Sequence, residues 1–147
     1  MSTTVKQVLE KKGARTVSVS PQSTVMEALE SMARNDIGAV LVIEAERLVG
    51  IFTERDYARK VALQGRTSRE SQIGDLMTPN VCTITPSHTI DQVMNIMTDN
   101  RFRHLPVVEQ GKLVGIITIG DVVKAIIAEQ EATIHQLSSY IAGEITT

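Results

Sequence analysis

The residues best placed to do chemistry stand in two segments, Gly50-Ile-Phe-Thr-Glu-Arg-Asp56 and Gly115-Ile-Ile-Thr-Ile-Gly-Asp121, both of the form G-x-x-T-x-x-D. A carboxylate has two acceptor oxygens, which match two neighbouring hydroxyls of a sugar. A threonine three residues earlier, at a helix start, lies among free amides and the positive dipole end, which favour phosphate oxygens. Gly50 and Gly115 are expected to let the strand end approach a ligand closely. Arg55, Arg101, Arg103 and His104 add cationic donors for an anionic tail.

The same spacing has a purely structural use. [ST]-x-x-[DE] is a capping box, so Thr53 with Asp56 and Thr118 with Asp121 can do no more than start a helix. Elsewhere nothing assembles a nucleophile, a base and an orienting group, so no catalytic site and no catalytic cofactor are expected. His88 and His135 stand alone on expected helix surfaces, which gives no metal site. Cys82 and the methionines read as packing residues.

Composition narrows the partners. Fifteen basic against seventeen acidic residues leave a net charge of −2, without the cationic footprint that nucleic acid requires. Aromatic residues make up only 3%, too few for base-stacking platforms, and the core must be aliphatic. The longest apolar run, Ile37 to Ile43, is too short to cross a bilayer, so no membrane partner is expected. One cysteine and a polar N-terminal stretch without a signal-peptide core fit a cytoplasmic protein.

The elements that position the two segments are themselves duplicated. Pro21 aligns with Pro86, and the shift of 65 holds without a gap to Asp56 and Asp121. Val17–Val19 and Cys82–Ile84 alternate as half-buried strands do. Thr24 and Thr89 open amphipathic helices through capping boxes. Two strands follow in each copy, Ala39–Ile43 with Leu48–Phe52 and His104–Val108 with Leu113–Ile117, each pair joined as a hairpin. A last helix starts near Asp56 or Asp121. The spacing therefore predicts an α/β fold: two βαββα units, residues 5–64 and 73–130, packed as one pseudo-two-fold module. A helical tail over 131–147 carries Ile134, Leu137 and Ile141 on one side.

The duplicated unit resembles the cystathionine β-synthase (CBS) domain, and the tandem resembles the CBS pair called a Bateman module. The segments that carry the likeness are IGDLMTPN from Ile73, FRHLPVVEQGKLVGIIT from Phe102, and the twin G-x-x-T-x-x-D stretches. The resemblance implies a regulatory, non-enzymatic module that binds adenine nucleotides (AMP, ADP, ATP, NAD or S-adenosylmethionine) between the repeats. It also implies a homodimer acting on an effector protein in trans. By the same likeness, one site would combine Ser18, Ile37 and Gly38 with Thr118, Gly120 and Asp121. The other would combine Thr83, Phe102 and Arg103 with Thr53, Arg55 and Asp56, and His104 beside Arg103 is open to either phosphate contact or a structural hydrogen bond. The first has a small wall and few cations, whereas the second has arginines, so the second is expected to take the more negatively charged ligand.

Overall fold

A computed structural model describes residues 3–142. In chain order the elements are α1 (Val5–Lys12), β1 (Ser18–Val19), α2 (Val25–Asn35), β2 (Ala39–Glu44), β3 (Arg47–Thr53) and α3 (Glu54–Asp56). A π-helical turn (Tyr57–Ala62) continues α3. Then come α4 (Ile73–Leu76), β4 (Thr78–Pro79), α5 (Ile90–Asn100), β5 (His104–Glu109), β6 (Lys112–Thr118) and α6 (Ile119–Ala142). The first unit is βαββα as the periodicity predicts; the second repeats its helix, hairpin and closing helix without the leading strand.

Each hairpin forms where the alternation placed it, with Ala39 opposite Thr53 and His104 opposite Thr118. Alternate residues then serve different layers. Val40, Val42 and Phe52 pack under α2 with Val25, Ala28 and Met32. Leu105, Val107 and Ile117 pack under α5 with Ile90, Val93 and Met97. Ala39, Leu41 and Ile51 turn the other way and join the two hairpins through Leu113 and Ile116. The helices thus lie outside, and the two G-x-x-T-x-x-D strand ends share the middle.

The segments that open the two units cross over. Val5 of α1 is buried in the second unit's core, and Ile73 and Leu76 of α4 in the first unit's core. The hydrogen bonds of the crossing match pair by pair. The Val5 N–H donates to the His88 carbonyl and the Ile73 N–H to the Ser23 carbonyl, at 2.9 and 2.8 Å. This exchange fixes one repeat against the other. It also corrects the reading of the two glycines. A Cβ on Gly115 would meet Leu9 Cδ2 at 2.7 Å, and one on Gly50 would meet Met77 Sδ at 2.5 Å. The room they leave is filled by the crossing segments, not by a ligand.

Four further differences have simple causes. Cys82 to Ile84 does not form a strand; Ile84 alone bridges Val107, while Thr83 is exposed. The Thr24 hydroxyl accepts from the Glu27 N–H, but only Thr89 forms the reciprocal box, with Gln92. His88 lies before α5, where its Nδ1 accepts the Thr85 N–H at 3.0 Å. The tail is not a separate helix, because α6 runs unbroken from Ile119 to Ala142. The remaining expected tail residues lie outside the described ones. No helix among the described residues is long and apolar enough to cross a membrane.

Candidate functional site

Both strand ends turn into helices through full capping boxes. The Thr53 N–H donates to Asp56 Oδ2 at 3.0 Å, and the Asp56 N–H returns to Thr53 Oγ1 at 3.1 Å. In the second repeat the corresponding distances for Thr118 and Asp121 are 2.9 and 3.2 Å. The structural use of the motif is therefore real in both copies. It also places each carboxylate at a fixed point on a strand–helix junction. The loops before the hairpins are pinned to the same points. The Glu54 N–H donates to the Gly38 carbonyl at 3.0 Å and the Ile119 N–H to the Arg103 carbonyl at 2.9 Å.

Between the repeats lies a cleft of about 380 Å³. Thr53, Arg55 and Asp56 line it from the first repeat, and Phe102, Arg103 and His104 from the second. Gly38 lines the same cleft, where the Glu54 carboxylate lies so close that a Cβ would clash at 2.6 Å. Arg59 and Arg101 join Arg55 and Arg103, so four arginines face Glu54 and Asp56 there. Arg55 also ties the repeats together, with its guanidinium donating to the Arg101 carbonyl at 3.1 Å. Arg101 ends α5 in the left-handed region, at φ 58°.

His104 and Arg103 both line the cleft. Strand alternation would have let only one of them face it, but β5 begins at His104 and Arg103 precedes it. Burial lowers the His104 pKa below its ordinary value, and the Arg103 charge lowers it further. Asp121 pulls in the opposite direction and Lys12 adds to the lowering. The ring therefore feels the second repeat's motif, through Asp121, and α1, through Lys12.

The other expected residues are spread more widely. Asp121 opens on a separate depression of about 440 Å³ between α1 and α6, with Lys11, Lys12 and Lys124. Ser18 is exposed on β1, Ile37 packs against the first core, and Gly120 is exposed in the first turn of α6. Neither Ser18 nor Thr83 lines either depression. The two carboxylates also differ in what they already hold. Asp56 Oδ2 takes the Thr53 N–H, and Oδ1 faces Lys60 Nζ at 3.3 Å and Thr78 Oγ1 at 3.2 Å. Asp121 Oδ2 takes both Thr118 and Lys12, leaving Oδ1 without a protein partner among the described residues.

Arg59, Glu54 and Thr78 are cleft residues that the motif alone did not single out. Arg59 was findable, since it stands four residues after Arg55 and so on the same helix face. Thr78 comes from the segment before the second repeat, and only the crossing brings it there. No group of three or more His, Cys, Asp or Glu able to hold a metal ion occurs among the described residues.

The CBS domain pattern matches residues 5–63 and 73–128. The chain belongs to the CBS domain family. It is 38% identical to the mitochondrial CBS domain-containing protein CBSX3 of Arabidopsis thaliana, across 97% of this chain and 73% of that protein. A CBS-domain containing protein of Agrobacterium tumefaciens is 48% identical and superposes with a TM-score of 0.80, over 84% of this CBS pair and 98% of the other chain. The CBS pair of protein MJ0100, solved in complex with 5′-methylthioadenosine and S-adenosyl-L-methionine, is 25% identical with a TM-score of 0.76, over 88% and 99% of the two chains.

Proposed function

We propose that this CBS pair is a regulatory module that binds an adenine nucleotide between its repeats and changes the surface it shows to a partner protein. The observation that carries the reading is the cleft in which Thr53, Arg55 and Asp56 of one repeat meet Phe102, Arg103 and His104 of the other. At about 380 Å³ it lies within the usual range of small-molecule sites. Half-exposed Phe102 offers a face for a base, and the four arginines offer bidentate donors for phosphate oxygens. A ligand held by both repeats favours whichever arrangement of the repeats grips it best, so binding becomes a population shift.

The arginines favour a ligand with two or more phosphates in this cleft. Asp121, with its unengaged Oδ1, suits the diol of a nucleoside carrying less charge. The likeness to a CBS pair solved with two adenosine compounds supports adenosine as the shared part of the ligand. The module works as a homodimer on an effector in trans.

A melting screen against AMP, ADP, ATP, NAD, S-adenosylmethionine and 5′-methylthioadenosine tests the reading. Ligand at about 100 times its Kd stabilises the folded chain by about 2.7 kcal/mol. For a domain of this length that is a rise of about 5–11 °C in Tm. One observation favours a second reading, a structural module without ligand: both carboxylates already serve as helix caps. On that reading no compound shifts the Tm.

A further inference from the structure

The second half of α6 leaves the body of the protein. Every residue from Gln130 to Ser138 is exposed, so the module's own core does not cover this stretch. Yet it carries a regular apolar stripe. Val123, Ile127, Ile134, Leu137 and Ile141 are 48% to 72% exposed. With Gln130 between them, the six positions step by 4, 3, 4, 3 and 4. That is an unbroken heptad seam, the pattern of two helices wound around each other. A short helix with one wet apolar face is marginal alone in water.

We infer that the α6 seam pairs in parallel with the same seam of a second copy, with Gln130 against Gln130 and the bodies side by side. This rests on the homodimer reading above and locates its interface. Four features select this occupant and this direction. Ile127, Ile134 and Ile141 share one heptad position, and Val123 and Leu137 share the other. Isoleucine throughout the first, with Leu137 at the second, favours two parallel strands. Gln130 would be a buried polar group opposite any apolar partner, but its amide is both donor and acceptor, and an identical amide in register satisfies it. The flanking pairs of a parallel dimer are Ile126 with Glu131 and Thr133 with Ser138, so no like charges meet. Lastly, the seam from Val123 to Ile141 is only about 27 Å long. A strip of that length and about 10 Å wide falls short of the roughly 800 Å² per partner of stable interfaces. The shortfall needs body contacts next to the seam. Exposed Ile119, in the first turn of α6, and exposed Met94, on the packed neighbour α5, supply them only if the bodies lie at the same end.

Light scattering on the full chain, with a Cys82→Ser background for cross-linking, tests the pairing. The expected mass is twice the 16.1 kDa of one chain. Ile134→Asp with Leu137→Asp should return it to a monomer while the body keeps its circular dichroism and Tm transition, because both positions are exposed. Leu137→Cys should give a disulfide-linked dimer on oxidation, since position 137, away from the midpoint of the 123–141 seam, meets its equivalent in a parallel pair and not in an antiparallel one. A chain that is monomeric throughout overturns the seam and the homodimer together. A dimer that survives the double aspartate variant, or that fails to cross-link at position 137, overturns the parallel seam and leaves the homodimer standing.

Discussion

Lys12 Nζ stands 2.6 Å from the Asp121 carboxylate, and the same nitrogen donates to the Ile116 carbonyl at 2.8 Å. In the first repeat Asp56 also faces a lysine, Lys60 at 3.3 Å, but that one comes from the following helical turn. The asymmetry has a physical origin at the sheet edges. β4 pairs with β3 through Thr78 opposite Ile51, the residue equivalent to Ile116. Among the described residues no strand covers β6 in that way, because α1 stays helical to Lys12 and reaches the edge with a side chain. A ligand that takes hold of Asp121 therefore competes with the tie between α1 and β6. A ligand at Asp56 leaves α1 alone.

Lys12→Met should loosen α1. The ion pair is partly open to solvent, with Lys12 29% exposed, so its worth lies near the surface end of the range. Together with the lost bond to the Ile116 carbonyl, the expected cost is about 0.5–1.5 kcal/mol. Urea denaturation should show a lower midpoint at unchanged slope, and the loss should shrink at high salt. A variant as stable as the parent would mean that the lysine contributes nothing to the docking of α1.

Asp56→Asn and Asp121→Asn separate capping from binding. An asparagine oxygen still accepts the Thr53 or Thr118 N–H, so most of the cap survives and stability should fall by no more than about 1 kcal/mol. The charge that the proposed function sets against two ligand hydroxyls is gone, and bonds to a charged group are worth about 1.5–3 kcal/mol. Calorimetric titration should therefore show roughly tenfold or greater weakening of nucleotide binding. Unchanged affinity in both variants, with normal Tm, would leave the carboxylates as caps alone.

Gly50→Ala should be worse than Gly115→Ala. At Gly115 the atoms nearest the added Cβ all belong to the Leu9 side chain, which can rotate. At Gly50 it meets Met77 and also the Thr78 carbonyl oxygen at 3.0 Å, which belongs to β4 and cannot give way without breaking the pairing to β3. Overpacking of this kind costs about 1–3 kcal/mol, with Gly50→Ala at the upper end. Thermal denaturation of the two variants decides the order, and Leu9→Ala should relieve Gly115→Ala but have no such counterpart at Gly50.

These glycines show where a linear reading stops. The hairpins, the amphipathic stripes of α2 and α5 and both capping boxes follow from local periodicity, so the fold was legible from residues such as Val25, Ile90, Thr53 and Thr118. Gly50 and Gly115 were equally visible, but their reason is Met77 and Leu9, which arrive from outside each unit. The crossing of α1 and α4 pairs residues far apart in sequence and leaves no periodic trace. The same holds for the site. Arg55, Asp56, Phe102 and His104 could be named from motif and likeness, while Thr78 at Asp56 and Lys12 at Asp121 needed the three-dimensional exchange. Strand alternation admits only one of Arg103 and His104 to the cleft, but it does not reach Arg103, which stands one residue before β5 begins.

His104 links both folding and ligand binding to pH. Burial and the Arg103 charge hold its pKa below the ordinary value of about 6.5, so the folded chain keeps the ring neutral where the unfolded chain already binds a proton. Because the unfolded state then carries more protons, stability rises with pH in that window. Its contribution is complete above about pH 6.5 and is lost as pH falls through the folded value. His104→Gln should flatten that part of the stability–pH curve. A phosphate bound among Arg55, Arg59, Arg101 and Arg103 acts on the same ring in the other sense, since its negative charge favours the imidazolium. Nucleotide binding just below the ordinary histidine pKa should therefore take up a fraction of a proton. Titrations in two buffers of different ionisation heat should give different apparent enthalpies, and the difference should vanish in His104→Gln. Equal enthalpies with the wild-type chain would mean that the ligand's phosphates do not come near this histidine.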